Sequence, residues 1–216
     1  MIRSSFVGLL VLLSLSAMAE GVKVSERFGY DPVDATANLQ AALDSGLSEI
    51  VVDKKGGPWV TRPLFARSNQ TVVFEKGVEL VAKKGAFRNC EDCLFTISCA
   101  TNVTIAGYGA TWRMRRADYD AAPYKKGEWR HALSIVSGDR ITVEGLAIVE
   151  SGGDGVYVGR NRRRKGGPST DVILRDLVCD RHYRQGISVI TARRLLIERC
   201  VLVNTWGTPP TAGIDF

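Results

Sequence analysis

Five short segments of the chain share one pattern, in which a polar residue is followed by apolar residues at alternating positions. They begin at Gln70, Asn102, Arg140, Asp171 and Arg194, so their starts are spaced by 32, 38, 31 and 23 residues. Alternation of this kind is typical of strands with one buried face. The unequal spacing argues against a propeller or a helical repeat, and it predicts a solenoid whose coils share strands but differ in loop length.

The alternation assigns a face to each residue of these segments. At one equivalent position, the inward residues are Val143, Leu174 and Ile197. The next residues along each strand point outward, and they are Glu144, Arg175 and Glu198. We therefore expect the apolar set to stack into one continuous core and the charged set to form a ladder on the surface.

A second set of segments starts at glycines 155, 186 and 213, which are 31 and 27 residues apart. Each of these segments follows a member of the first set, so two strand families alternate along the chain and predict two sheets. The residue after each glycine is apolar and is expected to be buried. The residues one position further on then share an outward column, which contains Tyr157, Ser188 and Asp215.

The stretch from Asp34 to Gly46 predicts the one clear helix. Leu39, Ala42 and Leu43 fall on one of its faces, Asp34 or Thr36 can cap its start and Gly46 can end it. Only brief β-type segments follow it, which argues against an alternating α/β domain. The sequence therefore predicts an all-β fold, a parallel β-helix (solenoid) with a short N-terminal capping helix.

The first nineteen residues have the pattern of a secretory signal peptide. Arg3 precedes an apolar run over residues 6–15, and Ala17-Met18-Ala19 supplies the small residues of a cleavage site. We therefore expect a secreted or periplasmic protein whose β-helix domain comprises residues 20–216. No transmembrane segment is predicted, because a span needs about 20 apolar residues. The sequence stops at Phe216 within a predicted strand, so we expect the domain to be truncated at its C-terminus.

The formal net charge of +6 favours an anionic partner. For an exported protein, this partner is expected to be an acidic polysaccharide and not nucleic acid; a general role in solubility is the alternative. The oligomeric state is left open. The five cysteines cannot all pair within one chain, and Cys90-x-x-Cys93 has no second pair at zinc-ligand spacing, so a structural role is expected.

Four stretches carry a resemblance to a known family. GYDPVDATANLQAALDSG at residues 29–46 resembles the start of pectate-lyase-superfamily proteins, and SGGDGVYVG, RQGISVI and GIDF resemble coils of the bacterial right-handed parallel β-helix repeat proteins in that superfamily. The resemblance implies a right-handed parallel β-helix. It implies lyases, polygalacturonases, epimerases and tailspike glycosidases alike, so it does not specify the reaction.

The chain also departs from the family's motifs. The paired aspartates and the Gly-His-Gly motif of polygalacturonases are missing from the sequence, as is a convincing pectate-lyase calcium cluster. Asp180-Arg181-His182 is similar to the Asp-x-His motif of mannuronan C5-epimerases, with Arg in place of Pro. No cofactor is predicted with certainty; calcium is kept as an alternative, because carboxylates on different coils can assemble a site, and the metal ligands are unknown.

The densest candidate cluster lies in the connection before residue 186. Arg184 is predicted to pair with a uronate carboxylate, His182 or Tyr183 to act as base or acid, and Asp180 to orient the histidine. The alternative is that Asp180 and Arg184 only satisfy the turn backbone and each other.

Asp154 occupies the equivalent connection one coil earlier, with Tyr157 and Asp215 predicted to flank it. Carboxylates on neighbouring coils would permit glycoside hydrolysis, which needs two carboxyl groups about 5 to 9.5 Å apart. The alternative for the Gly-Asp-Gly sequence is an ordinary turn.

The remaining candidates lie in two insertions. Arg160 and Arg162 belong to the basic run that ends at Lys165, which is predicted to attract a polyanion or to be a solvated loop. Trp129 is predicted to stack on a sugar ring or to pack the insertion onto the solenoid. His131 starts an apolar strand and is interpreted as structural.

These patterns favour a secreted enzyme that acts on acidic polysaccharide, by β-elimination or C5 epimerisation. Both reactions need a cation near the uronate carboxylate, a base at C5 and an acid. The alternatives are a glycoside hydrolase of the same fold and a noncatalytic glycan-binding solenoid.

Overall fold

The computed structural model describes residues 21–216, so the predicted signal peptide lies outside the described residues. Within that range the chain forms two short helices, α1 (Val24–Phe28) and α2 (Thr36–Asp44), and seventeen strands. The strands are β1 (Val22–Lys23), β2 (Glu49–Val52), β3 (Trp59–Thr61), β4 (Leu64–Phe65), β5 (Gln70–Phe74), β6 (Glu79–Ala82), β7 (Phe95–Ser98), β8 (Thr101–Arg113), β9 (Leu133–Val136), β10 (Asp139–Val149), β11 (Val156–Gly159), β12 (Ser169–Arg175), β13 (Val178–Asp180), β14 (Ile187–Val189), β15 (Ala192–Glu198), β16 (Val201–Val203) and β17 (Ile214–Asp215).

The strands form two parallel sheets in which successive coils lie side by side. The first sheet has eleven strands and contains the row β1-β2-β5-β8-β10-β12-β15. The second sheet has six strands in the order β4-β7-β9-β11-β14-β17. The predicted parallel stacking of two strand families is thus confirmed, and the fold is mostly β.

The first sheet has a second row of strands that the sequence analysis missed. The long strand β10 pairs with β12 through Asp139 to Glu144 and with β13 through Ala147 to Val149. The bend between these two halves contains Gly145, whose φ of 74° is in the left-handed region that favours glycine. Each coil therefore has three strands, not the two that the sequence pattern predicts.

The predicted core register is confirmed. Val143 pairs with Leu174, which pairs in turn with Ile197. The first two side chains are fully buried and the third packs against the core. Outside the core, Arg175 Nε donates to Glu144 Oε2 at 2.7 Å, so the ladder of charges is present on at least two coils.

The second sheet also has the predicted register. Tyr157 pairs with Ser188 and Ser188 with Asp215, so the three residues form one column across neighbouring coils. Ser188 differs from the prediction in its environment. It is fully buried, and its hydroxyl donates to Gln185 Oε1 at 2.5 Å.

The helix α2 covers the first coil, as predicted. Leu39, Ala42 and Leu43 are buried in the core, and Asp34 Oδ1 accepts the backbone N–H of Thr36 at 3.3 Å. The cysteines carry free thiols, and Cys179 is fully buried among apolar residues. Among residues 21–216, no helix is long and apolar enough to cross a membrane.

Candidate functional site

The outer face of the second sheet carries a furrow. The parallel strands all begin at one edge of the sheet, so the segments that precede β7 and β9 form one wall and the loop 160–168 after β11 forms the other. The furrow encloses about 580 Å³. The side chains that matter for its chemistry are Glu91, Trp129, His131, Tyr157, Arg160, Arg162, Arg163 and Arg184.

Two aromatic rings lie in the furrow. Trp129 is 48% exposed, which leaves a large apolar surface available. Tyr157 is half-buried and stacks on His131, with ring centroids 4.8 Å apart and planes inclined by 12°. Aromatic surfaces of this kind suit the apolar faces of sugar rings. Trp129 therefore offers an exposed ring in the furrow.

The basic loop is held against the sheet. Asn161 donates from its side chain to Ser98 Oγ at 2.8 Å and from its backbone to Ser137 Oγ at 2.9 Å. These contacts fix the loop beside the furrow, where Arg160 and Arg162 are exposed. The loop is thus anchored through Asn161, while its basic side chains remain exposed to solvent.

A buried carboxyl group lies beneath the floor of the furrow. Asp154 is fully buried, and its Oδ1 accepts the backbone N–H of Gln185 at 3.2 Å. Its Oδ2 accepts no hydrogen bond, but it lies 3.3 Å from His131 Nδ1 and 3.8 Å from Arg184 Nη1. Burial raises the pKa of Asp154 to about 6, although the charge of Arg184 opposes the shift.

His131 is the functional candidate that the sequence analysis interpreted as structural. Its ring is 4% exposed and borders the furrow, and its Nδ1 accepts the backbone N–H of Asp154 at 3.0 Å. Burial lowers its pKa to about 3, so the ring is neutral near pH 7. One sequence signal could have shown that these residues lie together. His131, Asp154 and Gln185 each precede by two residues an apolar residue that is paired with its equivalent on the neighbouring strand.

His182 lies elsewhere, which corrects its predicted role as base or acid. The side chain is fully buried and Nδ1 lies 2.8 Å from Ser151 Oγ. Burial lowers its pKa to about 3. Asp180 does not orient this ring, since it pairs with Arg181 and accepts the Asn204 amide at 2.9 Å.

Two predicted binding residues also lie outside the furrow. Tyr183 contacts Arg116, whose guanidinium carbon is 5.8 Å from the tyrosine ring centroid, and it borders a small recess with Gly152. Asp215 is on the same sheet face as Tyr157 but two strands away. It accepts the Gln185 side-chain amide at 3.3 Å.

The furrow does not fit the predicted alternative of a calcium ion. Within residues 21–216, no group of three or more His, Cys, Asp or Glu side chains could hold a metal. Calcium takes six to eight oxygen ligands, whereas the buried carboxyl of Asp154 faces the basic side chains of His131 and Arg184.

The chain matches no protein-family model and no curated protein sequence. It is similar to a provisionally assigned glycosyl hydrolase from Parabacteroides merdae, with 15% identity, a TM-score of 0.58, and coverage of 84% of this chain and 95% of that one. It is similar to an iota-carrageenase in complex with iota-carrageenan fragments, with 15% identity, a TM-score of 0.64, and coverage of 82% of this chain. It is similar to a polygalacturonase from Erwinia carotovora ssp. carotovora, with 15% identity, a TM-score of 0.56, and coverage of 79% and 60%.

The chain spans about 40% of the length of the carrageenase. At such low identity, these likenesses concern the fold. They support the predicted fold, a right-handed parallel β-helix.

Proposed function

We propose that this protein is a carbohydrate-active right-handed β-helix, exported from the cell, that binds an acidic polysaccharide in the furrow and either cleaves it by β-elimination or epimerises its uronates at C5. The observation that carries the proposal is the composition of the furrow. The furrow is lined by the guanidinium groups of Arg160, Arg162, Arg163 and Arg184 and by the exposed ring of Trp129. Carboxylate and sulfate groups accept paired hydrogen bonds from guanidinium, and sugar faces pack on aromatic rings.

The first chemical requirement is neutralisation of the uronate carboxylate, which makes the C5 proton more acidic. Arg184 suits this role because its side chain is only 16% exposed and is held beside Asp154. Arg162 on the opposite wall supplies a second cation. In a water-poor site, such contacts stabilise the developing negative charge more strongly than in bulk water.

The second requirement is a base, and His131 takes the role that the sequence analysis gave to His182. Nδ1 of His131 faces both the backbone N–H and the carboxyl of Asp154. Nδ1 accepts the backbone N–H of Asp154 in this structure, so the base role requires that contact to be given up. When Asp154 is ionised, Nδ1 can instead carry a proton and donate it to Oδ2, which leaves Nε2 as the proton acceptor. When Asp154 is protonated, Nδ1 accepts and Nε2 carries the proton. Asp154 is thus a positioning residue that selects the tautomer of His131.

The third requirement is an acid. Tyr157 stacks on His131 in the furrow, and burial raises the pKa of its hydroxyl. The hydroxyl therefore holds its proton at neutral pH and can give it to the leaving oxygen, or to the opposite face of C5 in an epimerisation. One proton leaves C5 for His131 and one arrives from Tyr157, so the proton count balances.

Hydrolysis is the second candidate, and a specific contact favours it. Gln185 binds Asp154 through its backbone N–H and Asp215 through its side-chain amide, so two carboxyl groups are held on nearby coils. A pKa of about 6 also suits Asp154 as a general acid. Two of the solved proteins with this fold are named as a carrageenase and a polygalacturonase. Hydrolysis requires Asp154 to move, since the structure leaves it fully buried.

The test is to incubate the protein with pectate, alginate, heparin and iota-carrageenan while recording absorbance at about 235 nm and new reducing ends. Elimination predicts both signals, epimerisation predicts an altered uronate composition without either, and hydrolysis predicts reducing ends alone. His131→Asn and Tyr157→Phe should each lower the rate of elimination by about 10²- to 10⁴-fold. Arg193→Gln, an exposed change on β15 of the first sheet, is the matched control for Arg184→Gln.

Binding without any reaction would support the noncatalytic alternative. Failure to bind any of the four polymers would overturn the proposal as a whole.

A further inference from the structure

The furrow continues into a second recess towards the N-terminal coils. This distal recess encloses about 520 Å³ and is lined by Phe65, Arg67, Thr96 and Arg164 among others. It lies over β4 and β7, whereas Tyr157 and Arg184 lie over β11 and beyond. The two recesses adjoin each other over β9, but because strands are about 4.8 Å apart, β4 and β7 lie roughly 10 to 15 Å from β11 along the solenoid axis.

An ion pair crosses the face at the junction of the two recesses. Glu91 precedes β7 and therefore belongs to the wall where the strands begin, whereas Arg163 belongs to the loop after β11 on the opposite wall. The two side chains form a salt bridge, and both line both recesses. The contact joins the two walls above the sheet, and we call it the crossbar.

The crossbar is weak enough to be replaced. Its side chains are 85% and 59% exposed for Arg163 and Glu91, respectively. Exposed ion pairs typically contribute little to stability, and salt weakens them further. A carboxylate or sulfate of an incoming polymer can take the place of Glu91 on Arg163, with the guanidinium remaining paired throughout.

The distal recess carries the same recognition chemistry as the furrow. Arg164 is exposed, and Arg67 pairs with Asp44 at 2.7 Å while remaining 58% exposed. Phe65 is 48% exposed and offers an apolar surface beside these cations. The recess thus repeats the combination of guanidinium and aromatic ring that Trp129 and its neighbours provide.

We propose that the distal recess is a second subsite for the same polymer chain, and that an anionic group of this chain displaces Glu91 from Arg163 when both subsites are filled. The inference rests on the proposed function, because the polymer is the one bound in the furrow. The distal recess makes the protein selective for long anionic chains, because only a chain that reaches past the crossbar gains the distal contacts.

The test measures affinity by calorimetry with heparin-derived tetrasaccharide and decasaccharide, which carry both carboxylate and sulfate groups. The wild-type protein should bind the longer chain more tightly. Arg67→Gln combined with Arg164→Gln should weaken decasaccharide binding by about threefold to tenfold and leave tetrasaccharide binding unchanged. Glu91→Gln should strengthen decasaccharide binding by about threefold, because the competing carboxylate is gone.

Two controls separate local from general charge effects. Glu79→Gln on β6 removes an exposed acid from a different face, and Arg193→Gln removes an exposed base; neither should change the dependence on chain length. Equal affinity for both chains, or equal effects of Glu91→Gln and Glu79→Gln, would overturn the distal subsite alone. Failure of both heparin chains to bind the wild-type protein would overturn the subsite and count against the furrow itself.

Discussion

Asp154→Asn is the substitution whose consequences follow most directly from the site. Asparagine has the shape of aspartate, and its oxygen can still accept the backbone N–H of Gln185. Its amide can donate to His131 Nδ1, which now faces a carboxyl oxygen at 3.3 Å. The variant therefore keeps the packing and removes the buried charge.

The magnitude comes from the pKa of Asp154. Burial raises it from 3.8 to about 6, so the folded protein holds this proton more tightly than the unfolded chain does. A shift of about two units corresponds to about 3 kcal/mol. Because the pKa of Asp154 is higher in the folded state, protonated Asp154 adds to the stability of the wild-type protein below about pH 4. This contribution is lost as the pH rises through 6. Asp154→Asn should therefore gain up to about 3 kcal/mol relative to wild type between pH 4 and 7.

The assay is urea denaturation of both proteins at a series of pH values across that range, with Asp120→Asn as the control. Asp120 is an exposed carboxylate in the insertion before β9, so its substitution should leave the pH dependence unchanged. A difference between wild type and Asp154→Asn that does not vary with pH would refute the assignment of a buried, raised-pKa carboxyl. A variant that is stabilised at pH 7 and yet inactive would show that the charge serves His131 and not the fold.

Three further predictions follow from burial and exposure. Trp129→Ala should weaken heparin decasaccharide binding by about threefold to tenfold, as expected for loss of a ring contact of about 1 kcal/mol; unchanged affinity in calorimetry would contradict sugar stacking. Leu174→Ala should lower the free energy of unfolding by about 3 kcal/mol in urea denaturation, whereas Leu196→Ala, at a 45% exposed position, should change it by less than about 1 kcal/mol. His182→Asn should make the protein less sensitive to acid below about pH 6.5. The pKa of His182 is lowered to about 3 in the folded protein, so below about pH 6.5 the histidine is protonated in the unfolded chain first, which favours unfolding. An acid transition identical to that of wild type, followed by circular dichroism, would contradict this.

The sheet register could be predicted from the sequence because it depends on a simple alternation. Val143, Leu174 and Ile197 stand at equivalent places in three similar segments, and burying one of them fixes the faces of all its neighbours. The additional strand of each coil was missed because it is short, as in β13 and β16, or continuous with the first strand, as in β8 and β10. In β10 only a bend at Gly145 separates the two halves, and a single glycine does not signal a new strand row.

The site was predicted only in part because loop residues do not follow the alternation. The sequence placed His182 beside Arg184, yet the connection turns the histidine into the interior and the arginine towards the furrow. His131 was assigned to the core because apolar residues follow it. Its approach to Asp154 depends on contacts between coils more than twenty residues apart in sequence, which a local pattern does not reveal.

The most direct test of the account is a crystal structure of the protein with a bound anionic oligosaccharide, for which the heparin decasaccharide is the first choice. The bound oligosaccharide should lie along the outer face of the second sheet, with a sugar ring on Trp129 and an acidic group paired with Arg184 or Arg162. An oligosaccharide bound on the first sheet, with the furrow empty, would contradict it.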